Sequence, residues 1–261
     1  MINNLSANLD IMRPSLLQTG LEVLAYNLNR KNANLKMYEF GKTYHTSGVG
    51  KYKEETNLAI YITGVVQDAS WKQKDVKADF YYLKGVCEKI FLSLGLKNVT
   101  SIKSDQADFE YCLSFNLKDT LLATLGSLTK KTLKQFGIKE EVLFANIAWD
   151  ELVKIATQKE ITYKEVSKFP TVQRDLAIIL DKSIAYAEVE NAIKENKIAA
   201  LKSTKLFDIF ESDKLGNDKR SMAVNFTFGD DAKTLEDADT ETMMNKIIAS
   251  LEKKLNAEIR K

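Results

Sequence analysis

The stretch from residue 173 to residue 260 constrains the fold more than any other part of the chain, because its patterns change in an order that few architectures satisfy. A strand over 173–181 is followed by a helix over 186–196, a strand over 201–211, a strand over 221–228, a helix over 239–255 and a short strand over 257–260. Leu176, Ile178 and Leu180 recur at the two-residue period of a half-buried strand, and Met222, Val224, Phe226 and Phe228 do the same. A turn at 213–218, rich in Asp, Asn and Gly, separates the second and third strands. Asp237, Asp239 and Glu241 suit the first turn of the second helix, where unpaired amides favour anions.

The strand–helix–strand–strand–helix–strand order predicts a ferredoxin-like domain, with two helices on one face of a four-stranded antiparallel sheet. Strict alternation then sorts the side chains. The covered face receives Leu176, Ile178, Leu180, Phe207, Ile209, Met222, Val224, Phe226 and Phe228. The open face receives Asp175, Ala177 and Ile179, then Leu206, Asp208 and Phe210, then Ser221, Ala223, Asn225 and Thr227. An aromatic ring, an acid and small hydroxyl residues on one uncovered surface suit stacking of unpaired bases and reading of their edges. The same pattern also suits a face that is solvated or covered by another domain. From Val166 to Lys261 there are 16 Lys and Arg against 17 Asp and Glu, a net of −1, without the basic excess of an autonomous nucleic-acid binder. Arg174, Lys219 and Arg220 are the candidates for a local basic rim.

The residues before this domain read as a second α+β unit over 1–156, joined by a polar linker over 157–165. An extended lead-in over 3–14 precedes an amphipathic helix from Pro14 to about Arg30, carried by Leu17, Leu21, Leu24 and Leu28. Strands follow at 35–44 and 57–64, the second so continuously apolar that it is expected to be covered on both faces, with a polar turn over 46–56 between them. Phe80, Leu83, Val86, Cys87, Ile90, Phe91 and Leu94 form a helical stripe stopped by Gly95. Strands at 99–103, 111–117, 121–126 and 142–149, with helical pieces at 129–136 and 150–156, complete an antiparallel-leaning pattern.

Composition excludes several classes. No apolar run approaches the ~18 residues of a membrane span, and the first eight residues lack the basic start and apolar run of a signal peptide, so a cytoplasmic protein is expected. Cys87 and Cys112 lie outside any C-x-x-C spacing and read as reduced packing residues. His45 is the single histidine, so a His-rich metal site or a Ser-His-Asp triad has almost nothing to be built from; it reads as a strand-end or loop residue. No metal site and no catalytic residue is expected.

Several motifs together carry a family resemblance. Ser167-x-Phe-Pro170, Arg174-Asp-Leu-Ala177, Phe207-Asp208, Lys219-Arg-Ser-Met-Ala223, Thr234-Leu235 with Asp237, and Ile259-Arg260 resemble the ferredoxin-fold anticodon-binding domain that ends the β subunit of bacterial phenylalanyl-tRNA synthetase. Met12-Arg-Pro-Ser-Leu-Leu17, Asn27-Leu-Asn-Arg30, Tyr38-Glu-Phe-Gly41 and Phe80-Tyr-Tyr-Leu-Lys-Gly85 resemble the catalytic-like domain of the same subunit, which has a class II synthetase-like antiparallel sheet with helices. Family β subunits are much longer, so the chain is expected to be a C-terminal fragment beginning partway into that domain. The resemblance implies an α2β2 ligase that activates phenylalanine with ATP and Mg and transfers it to tRNA-Phe, with the active site in the α subunit. It implies no cofactor in this chain and no activity of the chain alone. It places anticodon contacts on Ala177, Asp208, Phe210 and Ser221, with phenylalanine at 210 where family members often carry tyrosine. It also places the helix over 15–30 and the strand over 35–44 at the interface with the α subunit. A structural or protein-interaction module without direct RNA contact is the alternative.

Overall fold

The chain divides into two compact units, residues 1–162 and 163–261. The computed structural model describes residues 10–158, 163, 165–212, 215–216 and 218–260. Most of the lead-in expected over 3–14, most of the linker expected over 157–165, and Asp213, Lys214 and Asn217 of the expected turn lie outside the described residues.

In the first unit, helix α1 (Leu17–Leu28) leads into a hairpin of β1 (Leu35–Gly48) and β2 (Lys51–Thr63). A two-stranded piece, β3 (Val65–Gln67) with β4 (Val76–Lys77), precedes helix α2 (Phe80–Ser93). Strands β5 (Thr100–Ser104), β6 (Phe109–Leu117) and β7 (Thr120–Leu128), helix α3 (Lys130–Gln135), strand β8 (Val142–Ala148) and helix α4 (Trp149–Thr157) follow. Six strands form one antiparallel sheet in the order β1-β2-β8-β7-β6-β5. Alternate residues of β2 feed two cores. Leu58, Ile60 and Ile62 pack with Leu83, Cys87 and Phe91 of α2, while Ala59 and Tyr61 pack with Leu17, Leu21 and Leu24 of α1. This double burial is the reason the strand reads as a continuous apolar run. Asp79 caps α2 by accepting from the Tyr82 amide at 2.7 Å, and Gly95 ends it at φ 70°, a left-handed geometry that glycine adopts without a Cβ clash.

Two expectations change here. Helix α1 starts at Leu17, three residues after Pro14. Ahead of it Arg13 reaches Glu39 at 2.7 Å and the Lys42 carbonyl at 3.0 Å, and its own carbonyl accepts from the Tyr44 amide, so the chain around Pro14 is tied to β1 instead of winding into a turn. The polar segment over 46–56 is mostly strand: β1 and β2 pair as far as Gly48 and Lys51. The ribbon is held by backbone pairing, by the cross-strand ion pair of Lys42 with Glu54 and by the approach of His45 Nε2 to Glu55 at 3.6 Å, and its exposed residues give no hydrophobic alternation to read. His45 therefore sits within β1.

The second unit has β9 (Val172–Asp181), α5 (Tyr186–Lys194), β10 (Leu201–Phe210), β11 (Lys219–Phe228), α6 (Asp237–Leu255) and β12 (Glu258–Arg260). Its strands are antiparallel in the order β10-β11-β9-β12, the ferredoxin-like arrangement expected from the pattern. The core forms where Ile178 and Leu180 of β9 and Val224 and Phe226 of β11 meet Val189 of α5 and Ile247 of α6, all at most 1% exposed. Asp237 and Asp239 lie in the first turn of α6, paired with Arg174 at 2.6 Å and Lys233 at 2.9 Å.

Candidate nucleic-acid interface

The helix-free face of the second sheet is built by register. Opposite residues in neighbouring strands point to the same face. Phe210, Ser221 and Ile179 form one row across β10, β11 and β9; Asp208, Ala223 and Ala177 form the next; Lys205, Asn225 and Asp175 form the third. Four residues singled out from the sequence, Ala177, Asp208, Phe210 and Ser221, thus lie in two adjacent rows of one face.

The rows also expose an irregularity. The register of β10 shifts between Leu206 and Asp208, leaving Phe207 as an extra residue against β11. Leu206 opposes Val224 and packs on the helix-side core, so it leaves the open face on which strict alternation placed it. Lys205 takes its place there. Phe207, expected in the core, is 53% exposed, and Ile209 keeps the helix-side position opposite Met222 but remains 48% exposed. Two large apolar residues in succession, Leu206 and Phe207, are the sequence sign of this bulge.

The site residues differ in access. Phe210 is 48% exposed, enough to offer a ring face, whereas Ser221 is 4% exposed between its row neighbours Phe210 and Ile179. Little of Ser221 is therefore open to a ligand. Ala177 and Ala223 make the middle row shallow. Asp208 is exposed and has no hydrogen-bond or ion-pair partner among the described residues, so its carboxylate has acceptors to spare. Asn225 donates to Asp175 at 2.6 Å. Asp181 accepts from the Ser183 hydroxyl at 2.6 Å and the Ser183 amide at 2.8 Å, and these bonds hold its carboxyl below the usual aspartate range.

The three cations considered for a rim do not gather around this face. Lys219 is on it, opposite Asp181, and forms an ion pair with Glu258. Arg174 and Arg220 occupy helix-side positions of β9 and β11, in register with Phe226 and Leu180 respectively. Arg174 pairs with Asp237 of α6, and Arg220 donates to the Ile184 carbonyl at 2.6 Å with its Nε buried and unpartnered.

In the first unit, the groove beside β1 is apolar and about 520 Å³, lined in part by Tyr38, Phe40, Ile60, Tyr82, Leu94 and Trp149. Among the described residues no three His, Cys, Asp or Glu side chains come together to hold a metal ion. Gly48-Val-Gly50 is the exposed tip of the β1–β2 hairpin, not a cradle of converging amides.

Comparison with known proteins follows the same division. The family model described as "Phenylalanyl tRNA synthetase beta chain CLM domain" matches residues 1–149, more than half of the chain. The chain belongs to that family. A second model, "Ferredoxin-fold anticodon binding domain", matches residues 167–260, which include every row of the open face. The phenylalanine–tRNA ligase beta subunit of Bacteroides fragilis is 40% identical over 100% of this chain and 33% of its own length. That of Porphyromonas gingivalis is 33% identical over the same shares, and that of Streptococcus pneumoniae is 34% identical over 96% of this chain and 32% of its own. The chain therefore spans about a third of the length of these relatives.

Proposed function

We propose that the chain works as part of a phenylalanine–tRNA ligase β subunit, its ferredoxin-fold domain binding the anticodon region of tRNA-Phe and its larger unit helping to hold the α subunit. The observation that carries this reading is the juxtaposition of Phe210, Asp208 and Ala177 on one helix-free face of a domain of the anticodon-binding type. A half-exposed ring offers a stacking platform, an unpartnered carboxylate accepts from the edge of a base, and a shallow alanine row leaves room for both. Chemistry belongs to the α subunit, which supplies the site for ATP, Mg and phenylalanine in an α2β2 assembly in the cytoplasm. Among the described residues no helix is long and apolar enough to cross a membrane.

For the α subunit, the supporting observation is exposed apolar surface on α1 and β1. Val23 and Tyr26 on α1 are 45% and 57% exposed, and Tyr38 and Phe40 on β1 are 73% and 50% exposed. The β1 aromatics lie on the sheet face opposite α1, since they pair with Ile60 and Leu58 of the α2 core. A second reading, a face that docks protein without RNA, draws on the acidic balance of the open face. Co-expression with the α subunit of the same organism, followed by purification with and without tRNA-Phe, tests the proposal. Retention of both partners supports it; retention of the α subunit with no effect of tRNA favours the second reading. The chain alone is expected to give no ATP–pyrophosphate exchange.

A further inference from the structure

We infer that Lys205 takes the phosphodiester next to the nucleotide seated over Asp208 and Ala177, so that a single RNA strand with a base stacked on Phe210 runs along the open face from Phe210 toward Asn225. The inference rests on the reading of this face as an RNA platform and adds to it a backbone track and its direction. Its origin is the bulge at Phe207. Residues 205 and 208 are an odd number apart, and in a regular strand they would point to opposite faces. The register shift puts both on the open side, exchanging Leu206 for Lys205.

Charge explains why that exchange matters. The strand positions of the open face carry Asp175, Asp181, Asp208 and Glu258 against three cations, Lys205 on β10, Lys219 on β11 and, opposite Ala177, Arg260 on β12. Lys219 is paired with Glu258, and Lys205 has no acidic partner among the described residues. Such a face suits base edges, and on its β10 side, across the sheet from Arg260 on β12, Lys205 is the cation a phosphate meets. Lys205 also stands on β10, the edge strand of the sheet, where a nucleic-acid backbone can pass without crossing the acids of β9 and β12. Its row is two residues of β11 beyond the Asp208 row, about 7 Å along the strand. That suits the nucleotide next to one seated over Asp208 and Ala177. The third row also presents Asn225, oriented by its bond to Asp175, to whatever base follows.

The test is a titration of the full chain with an RNA hairpin carrying the phenylalanine anticodon loop, and with the same hairpin bearing a scrambled loop, followed by NMR at several salt concentrations. A phosphate contact reports itself as a salt slope, and losing one from a single-stranded site lowers the slope of log K against log salt by about 0.7. Lys205→Ala is expected to lower the slope by that amount and to weaken both hairpins by the same factor, while Lys205→Arg restores the slope. An unchanged slope overturns the inference, and Phe210→Ala then separates the two levels. If Phe210→Ala still weakens binding, only the Lys205 track fails; if it does not, or if the unmodified chain binds neither hairpin, the platform reading fails with it.

Discussion

Gly20 sits inside α1, where replacing glycine by alanine ordinarily stabilises a helix by about 1 kcal/mol. Its surroundings reverse the sign. A Cβ on Gly20 would lie 2.1 Å from Cζ of Tyr61 and 2.3 Å from its hydroxyl oxygen. That ring is 1% exposed, donates its hydroxyl to the Leu16 carbonyl at 2.6 Å, and packs on Phe144 with centroids 5.2 Å apart. It has no vacant direction in which to retreat. Overpacking a core costs about 1–3 kcal/mol, and displacing the hydroxyl forfeits a bond worth about 1 kcal/mol. The Leu16 carbonyl keeps two other donors, the Gly20 amide at 3.1 Å and the Thr19 hydroxyl at 3.2 Å, so the bond's loss stays near the ordinary value. Subtracting the helix gain, Gly20→Ala is expected to destabilise the first unit by about 1–3 kcal/mol. Guanidinium unfolding followed by circular dichroism reads this as a lower midpoint. In a Tyr61→Leu background, which clears the ring, the same substitution should cost less or stabilise, a coupling that a double-mutant cycle isolates. A higher midpoint for Gly20→Ala in the unaltered background would refute the account of how α1 seats on the sheet.

Other expectations follow from the same structure. Phe210→Ala should weaken anticodon-hairpin binding by about 5- to 150-fold, the equivalent of one stacked base at ~1–3 kcal/mol, while far-UV circular dichroism stays unchanged because the ring is about half exposed already. Arg174→Ala should change RNA affinity by less than about twofold and stability by less than about 1 kcal/mol, since its pair with Asp237 is solvent-exposed and on the helix side; a large loss of RNA binding would contradict its placement. Burial pushes the Cys87 thiol up to about 12, so an alkylating reagent at neutral pH should label it at the rate of unfolding rather than of the free thiol. Burial likewise raises the Tyr61 phenol above its ordinary value near 10. The folded state then holds a proton that the unfolded chain releases, so the stability from neutral Tyr61 is fully present below about pH 10 and is lost as pH rises toward the folded value. Unfolding midpoints measured across that alkaline range should fall, and Tyr61→Phe should flatten the fall.

The parts of this fold that were legible in the sequence are those where one face of an element is buried. Leu176, Ile178 and Leu180 announce β9 and its core side, and the uninterrupted run from Asn57 to Thr63 announces a strand between two cores. Exposed structure is silent by the same logic: the outer half of the β1–β2 hairpin and the β3–β4 pair bury little and so leave no period to read. On the open face, alternation brought Ala177, Asp208, Phe210 and Ser221 together but gave Leu206 the place that Lys205 holds, because counting by twos has no provision for an extra residue. The positions of Arg174 and Arg220 were readable from their even spacing to Leu176 and Met222, which assigns them to the helix side, away from the rim expected of them. The anticodon contact proposed for Phe210 came from resemblance, and the half-exposed state of its ring came only from the folded chain.

The most direct measurement is a chemical-shift map of the chain on addition of the anticodon hairpin. The account predicts perturbations at the amides of Ala177, Lys205, Asp208, Phe210 and Ala223, in the strands whose helix-free side meets the RNA, with little change in α5 and α6. Perturbations confined to the helices, or to the surface around Arg174 and Arg220, would contradict it.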